Sequence, residues 1–121
     1  MRYAVITLVL LVAISQAWAG EGDPKKGKAL YLQNCAACHG ESGKGNGPAA
    51  AALPVKPRDH TDGTYMNKLT DDYLKKIVLE GGASVGKASF MPPWKVSLKG
   101  QDIDHLIAYL RSIGQPPYKR Q

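Results

Sequence analysis

Cys35-Ala36-Ala37-Cys38-His39 is the stretch on which the reading of this 121-residue chain turns. Its spacing, C-x-x-C-H, is the one that attaches a c-type haem. Each thiol adds across one vinyl group of the porphyrin. The two alanines between them set the sulfur spacing on a tight turn, and the histidine that follows lies under the iron and offers an imidazole nitrogen. Cys35 and Cys38 are the only cysteines, so a single haem c, covalent through both, uses every thiol. Other readings fit less well. A thioredoxin-like pair needs a βαβ pattern around it, and these flanks are helical and glycine-rich. A structural zinc site takes four ligands, and the chain has two thiols and three histidines. A disulfide between Cys35 and Cys38 leaves His39 unexplained.

The start of the chain agrees with export. Met1-Arg2-Tyr3 carries one positive charge, Ala4 to Ile14 is apolar apart from Thr7, and Ala17-Trp18-Ala19 supplies a small-x-small cleavage pattern. This predicts a signal peptide over residues 1–19 and one domain over 20–121. The apolar run is shorter than the roughly 20 residues that span a bilayer, so no stable membrane insertion is expected after cleavage; an uncleaved anchoring helix is the competing reading. Haem attachment to C-x-x-C-H is usually completed outside the cytoplasm, so the expected location is a bacterial periplasm.

The 16 basic and 10 acidic side chains give +6; without Arg2 the balance is 15 against 10, or +5. A basic surface can steer an acidic partner or simply keep the chain soluble. Nucleic acid is a poor partner for an exported chain whose lysines are scattered. In a domain this small, a porphyrin is a large part of the core. Several hundred Å² of apolar surface at about 25 cal/mol per Å² gives roughly 10 kcal/mol gross, the size of a whole domain's net stability. The haem-free chain is therefore expected to fold poorly.

Helical signals divide the rest of the chain. Asp23-Pro24 supplies an N-cap and a first-position proline, and a helix runs on to about Gln33, with Gly27 on the same face as Tyr31. A glycine inside a helix costs about 1 kcal/mol against alanine, which is justified where another helix approaches closely. Glycine-rich residues 40–47 read as loop, Ala49 to Leu53 as a short helical turn, and Pro54-Val55-Lys56-Pro57 as extended chain. Thr70-Asp71-Asp72 opens a helix that Gly81-Gly82 ends. Ile103, Leu106, Ile107, Leu110 and Ile113 repeat at helical spacing before Gly114 and Pro116-Pro117. No strand-length alternation competes.

A second iron ligand is sought among the methionines, because a thioether raises the reduction potential. Met66 and Met91 survive signal cleavage. Met91 is preferred, since Pro92-Pro93 restrict its backbone and a small-residue loop precedes it; Met66 reads as packing. His60 and His105 carry no motif and read as surface or structural residues. Lys44, Lys87 and Lys95 flank the segments expected near the porphyrin edge, as a docking rim or as solvated charges.

On these residues the chain resembles the class I monohaem cytochromes c. The likeness rests on Gly27-x-x-x-Tyr31-x-x-x-Cys35, on Cys35-Ala36-Ala37-Cys38-His39-Gly40, on Gly47-Pro48, on Met91-Pro92-Pro93-Trp94 and on Leu106-x-x-Tyr109-Leu110. It implies an all-α fold in which the N- and C-terminal helices cross, Gly27 admits the other helix, and Tyr31 packs on Tyr109. It further implies that the carbonyl of Pro48 accepts a hydrogen bond from the free nitrogen of His39, and that Trp94 or Arg58 donates to a haem propionate; the alternatives for those two are core and solvated surface. The function implied is one-electron transfer by a His39/Met91-ligated haem c between redox proteins such as an oxidase, reductase or dehydrogenase, and not catalysis. The alternative is a haem c peroxidase-like enzyme whose sixth coordination position opens.

Overall fold

The computed structural model describes residues 21–120; the expected signal peptide lies outside the described residues. Five helices follow one another: α1 (Pro24–Asn34), α2 (Ala36–His39), α3 (Gly63–Met66), α4 (Asp71–Glu80) and α5 (Asp102–Ile113), with single 3₁₀ turns at Ala50–Ala52 and Gly82–Val85. The only β pairing among the described residues is an isolated bridge between Asp62 and Gln115.

The capping chemistry works as the sequence predicts. The Asp23 carboxylate accepts from the Lys25 N–H at the start of α1. The Thr70 hydroxyl accepts from the Tyr73 N–H at the start of α4, where Asp71 and Asp72 also meet the positive end of the helix dipole. Helix α3 was not legible: four residues carry no periodicity. It forms because Asp62 caps it, accepting from the Tyr65 N–H, and because the Gly63 N–H donates to the Gln115 carbonyl.

The frame is the crossing of α1 and α5. Most of α1 is exposed, and only Gly27 and Tyr31 are buried. Gly27 lies where a Cβ would run into the His105 carbonyl and the Tyr109 side chain, so the missing side chain is what lets the two backbones meet. Tyr31 is fully buried and meets Tyr109 edge-on, ring centroids 5.1 Å apart. Helix α5 contributes Leu106, Ile107, Tyr109 and Leu110 to a core completed by Met66, Leu74, Val78 and Leu98. The N-terminal end is tied down as well: the Asp23 N–H donates to His105 Nδ1, 2.7 Å away.

Candidate functional site

Cys35 is the joint on which the site is built. It ends α1, donating its N–H to the Tyr31 carbonyl, and begins α2, its own carbonyl accepting from the His39 N–H. One helical turn then places Cys35, Cys38 and His39 at i, i+3 and i+4, on one side of the chain. All three line a cavity of about 240 Å³. A single buried water needs only ~10–15 Å³, so the space suits a large group. Its wall is mostly apolar: Leu53, Val55, Leu69, Leu74, Ile77 and Val78 are among the lining residues. The charged residues on the wall are Lys56, Arg58 and Lys87, all basic.

Both methionines reach this wall, in different settings. Met66 is 3% exposed and belongs to the core. Met91 is half-buried on the loop after the second 3₁₀ turn. That loop is stitched to the end of α4. The Met91 carbonyl accepts from the Gly82 N–H at 3.0 Å, and the Trp94 and Lys95 N–H groups donate to the Val78 and Leu79 carbonyls. Gly81, with φ +86°, turns the chain out of α4 against Met91, Pro92 and Pro93, a conformation that suits glycine. Trp94 is half-buried on the same wall.

His39 Nδ1 lies 2.9 Å from the backbone carbonyl of Arg58. A carbonyl only accepts, so Nδ1 carries the proton and the lone pair of the neutral ring resides on Nε2. Burial lowers the His39 pKa, and the Arg58 carbonyl only partly opposes this. The expectation that Pro48 supplies the carbonyl is corrected here. Residues 47 and 49 use their N–H groups on the Cys38 and Ala37 carbonyls, which lays this segment along α2 and leaves Pro48 exposed. The chain returns beneath His39 ten residues later, at Arg58. The Arg58 guanidinium stacks on the Tyr65 ring, 3.8 Å from its centroid.

His60 is the residue that sequence reasoning passed over. It lines the cavity, stacks on His39 and shares a hydrogen bond with the Tyr31 hydroxyl. Its pKa is pulled down to about 3, by burial first and by His39 next, so the ring is neutral. No motif marks it; only the fold brings it to His39. Of the three lysines named from the sequence, Lys87 reaches the cavity wall, joined by Lys56, whereas Lys44 and Lys95 do not.

The competing chemistries do not fit this geometry. Burial, then the neighbouring Cys38, pushes the Cys35 thiol up to about 12, the opposite of the depressed pKa that thiol redox chemistry uses. Among the described residues no three His, Cys, Asp or Glu side chains converge to hold a metal ion. Two thiols and an imidazole on one side of an apolar, basic-rimmed cavity fit a porphyrin.

Comparison with known proteins points the same way. The family model described as Cytochrome c matches residues 24–114. Cytochrome c-554(547) of Halothiobacillus neapolitanus is 35% identical over 94 residues, which are 76% of this chain and 98% of that one. The cbb3-type cytochrome c oxidase subunit FixP of Bradyrhizobium diazoefficiens is 30% identical over 92 residues, 76% of this chain but only 28% of FixP; this chain thus spans less than a third of that relative. The solved KustC0563 c-type cytochrome superposes with a TM-score of 0.58 at 27% identity, covering 74% of this chain and 98% of its own. A match that runs from the first helix to the last, together with a small cytochrome covered almost end to end, places this chain in the class I monohaem cytochromes c, all-α electron-transport proteins that hold haem c covalently.

Proposed function

We propose that the protein is an exported, periplasmic electron carrier in which Cys35 and Cys38 would form the thioethers and His39 Nε2 and Met91 Sδ would hold the iron. On this reading residues 1–19 are removed and 20–121 form the single working domain. The observation that carries it is the convergence of Cys35, Cys38, His39 and Met91 on one apolar cavity, with His39 Nδ1 already engaged by the Arg58 carbonyl.

Bound haem c supplies a one-electron couple. The chain's own residues set its character. The Met91 thioether favours the reduced state. The apolar wall disfavours the additional positive charge of the oxidised one. The backbone bonds that tie the Met91 loop to α4 fix where the Met91 side chain starts, which would limit rearrangement on electron transfer. Lys56, Arg58 and Lys87 are the basic residues of the wall and would offset propionate charge, with the Trp94 indole as a further donor. Val55 and Phe90 line the cavity yet are 56% and 54% exposed, an apolar lip suited to brief, weak contact with a redox partner such as an oxidase, reductase or dehydrogenase. The basic balance of the chain favours an acidic docking face on that partner.

The test is a redox titration of the mature holoprotein followed by visible spectroscopy. Met91→Ala should lower the potential by on the order of a hundred millivolts and open the sixth position to carbon monoxide or cyanide. An unchanged spectrum and potential would remove Met91 from the ligand set. Ready cyanide binding by the unaltered protein would favour the peroxidase-like enzyme instead.

A further inference from the structure

On the proposed reading His39 would be the proximal ligand, and a second histidine, His60, lies flat against it. The rings of His39 and His60 have centroids 4.1 Å apart and planes 21° from parallel. His60 is itself held on two sides. Its Nδ1 is 2.9 Å from the Tyr31 hydroxyl, and its backbone N–H donates to the Gly43 carbonyl at 2.7 Å. The next residue is also fixed, because the Thr61 N–H and hydroxyl both donate to the Asp59 carboxylate. Tyr31 cannot yield, being fully buried and braced by Tyr109 at the α1–α5 crossing.

This arrangement restrains a motion that the Arg58 carbonyl leaves open. One hydrogen bond at Nδ1 fixes the position of a ring edge but still permits rocking about that contact. A flat ring stacked on the face removes that freedom. The plane of an axial imidazole decides which iron d orbital its π system meets, and so how unpaired spin spreads over the porphyrin. We infer that His60, locked by the Tyr31 hydroxyl, is a positioning residue that sets the ring plane of His39. The inference rests on His39 being the proximal ligand.

The test is ¹H NMR of the ferric holoprotein with ¹⁵N-labelled histidine. His60→Ala removes the stacked face and should alter the spread between the most and least shifted haem methyl resonances. His60→Phe keeps a flat ring without Nδ1 and should restore most of the native spread. Tyr31→Phe frees His60 and should fall between the two. If His60→Ala does not accumulate, His60→Leu fills the volume without a flat face and is read in the same way. A native methyl pattern in the Ala or Leu variant overturns the inference, since a merely structural residue would change stability and leave that pattern alone. The parent reading is judged separately on the unaltered protein: a His39 ring nitrogen without a hyperfine shift sinks the ligand assignment itself.

Discussion

The α1–α5 crossing and the loop wall of the cavity are built by opposite means. At the crossing the backbone is regular and its polar groups are satisfied within the helices. Stability there comes from side chains packed between segments some eighty residues apart, with Tyr31 and Leu106 almost fully buried. In the wall, residues 40–61 and 81–99 have little regular structure. A few bonds hold them: the Gly45 N–H to the His39 carbonyl, the His60 N–H to Gly43, the Gly82 N–H to Met91 and the Trp94 N–H to Val78. Large apolar side chains there, Val55 and Phe90, remain exposed. The crossing is stabilised by what it contains, and the wall by what it encloses.

The sharpest way to break this contrast is to prevent haem attachment. In the mature Cys35→Ala/Cys38→Ala variant, burial worth roughly 10 kcal/mol gross is lost, about the net stability of a typical domain. Circular dichroism should show loss of most of the helical signal. A natively helical, haem-free variant would mean that the crossing folds without the wall and that the dependence drawn here is wrong.

Gly27→Ala attacks the crossing alone. The added Cβ meets backbone, the His105 carbonyl, which cannot turn aside as a flexible side chain would. The helices must separate, with a cost of roughly 3 kcal/mol in urea unfolding of the holoprotein. The visible spectrum should change little, because Gly27 does not line the cavity. A loss under about 1 kcal/mol would show that the helices slide at little cost.

The same contrast explains how far the sequence could be read. Helices α1, α4 and α5 were legible because caps, glycine stops and a 3.6-residue period are local signals. Cys35, Cys38 and His39 were legible because their chemistry demands adjacency in sequence. The wall was not legible in the same way. Which carbonyl meets His39 depends on where a long loop returns, and a backbone group at Arg58 has no sequence signature; the family resemblance pointed to Pro48 instead. His60 lacked a motif because its partners, Tyr31 and His39, are brought to it only by tertiary structure. Helix α3 is too short for periodicity, and its cap at Asp62 works alongside the bridge to Gln115.

Arg111 joins the two regions, and replacing it should give the smallest of the three effects. It projects from α5 with its side chain 10% exposed. Its guanidinium donates to the carbonyls of Met66 and Leu69, at 2.9 and 2.6 Å, and to the Asp71 carboxylate through Nε and Nη2. It thereby closes the end of α3 against the start of α4, beside Met66 and Leu69 of the cavity lining, and it stacks on Tyr118. An ammonium keeps the charge but cannot reach three acceptors in one plane. Arg111→Lys should therefore cost about 1–2 kcal/mol, chiefly from a carbonyl left without its donor. Because Asp71 is about half exposed, added salt should change that loss little; a loss that disappears in high salt would mean that the ion pair, and not the fork of hydrogen bonds to the Met66 and Leu69 carbonyls, is what α5 contributes at this point.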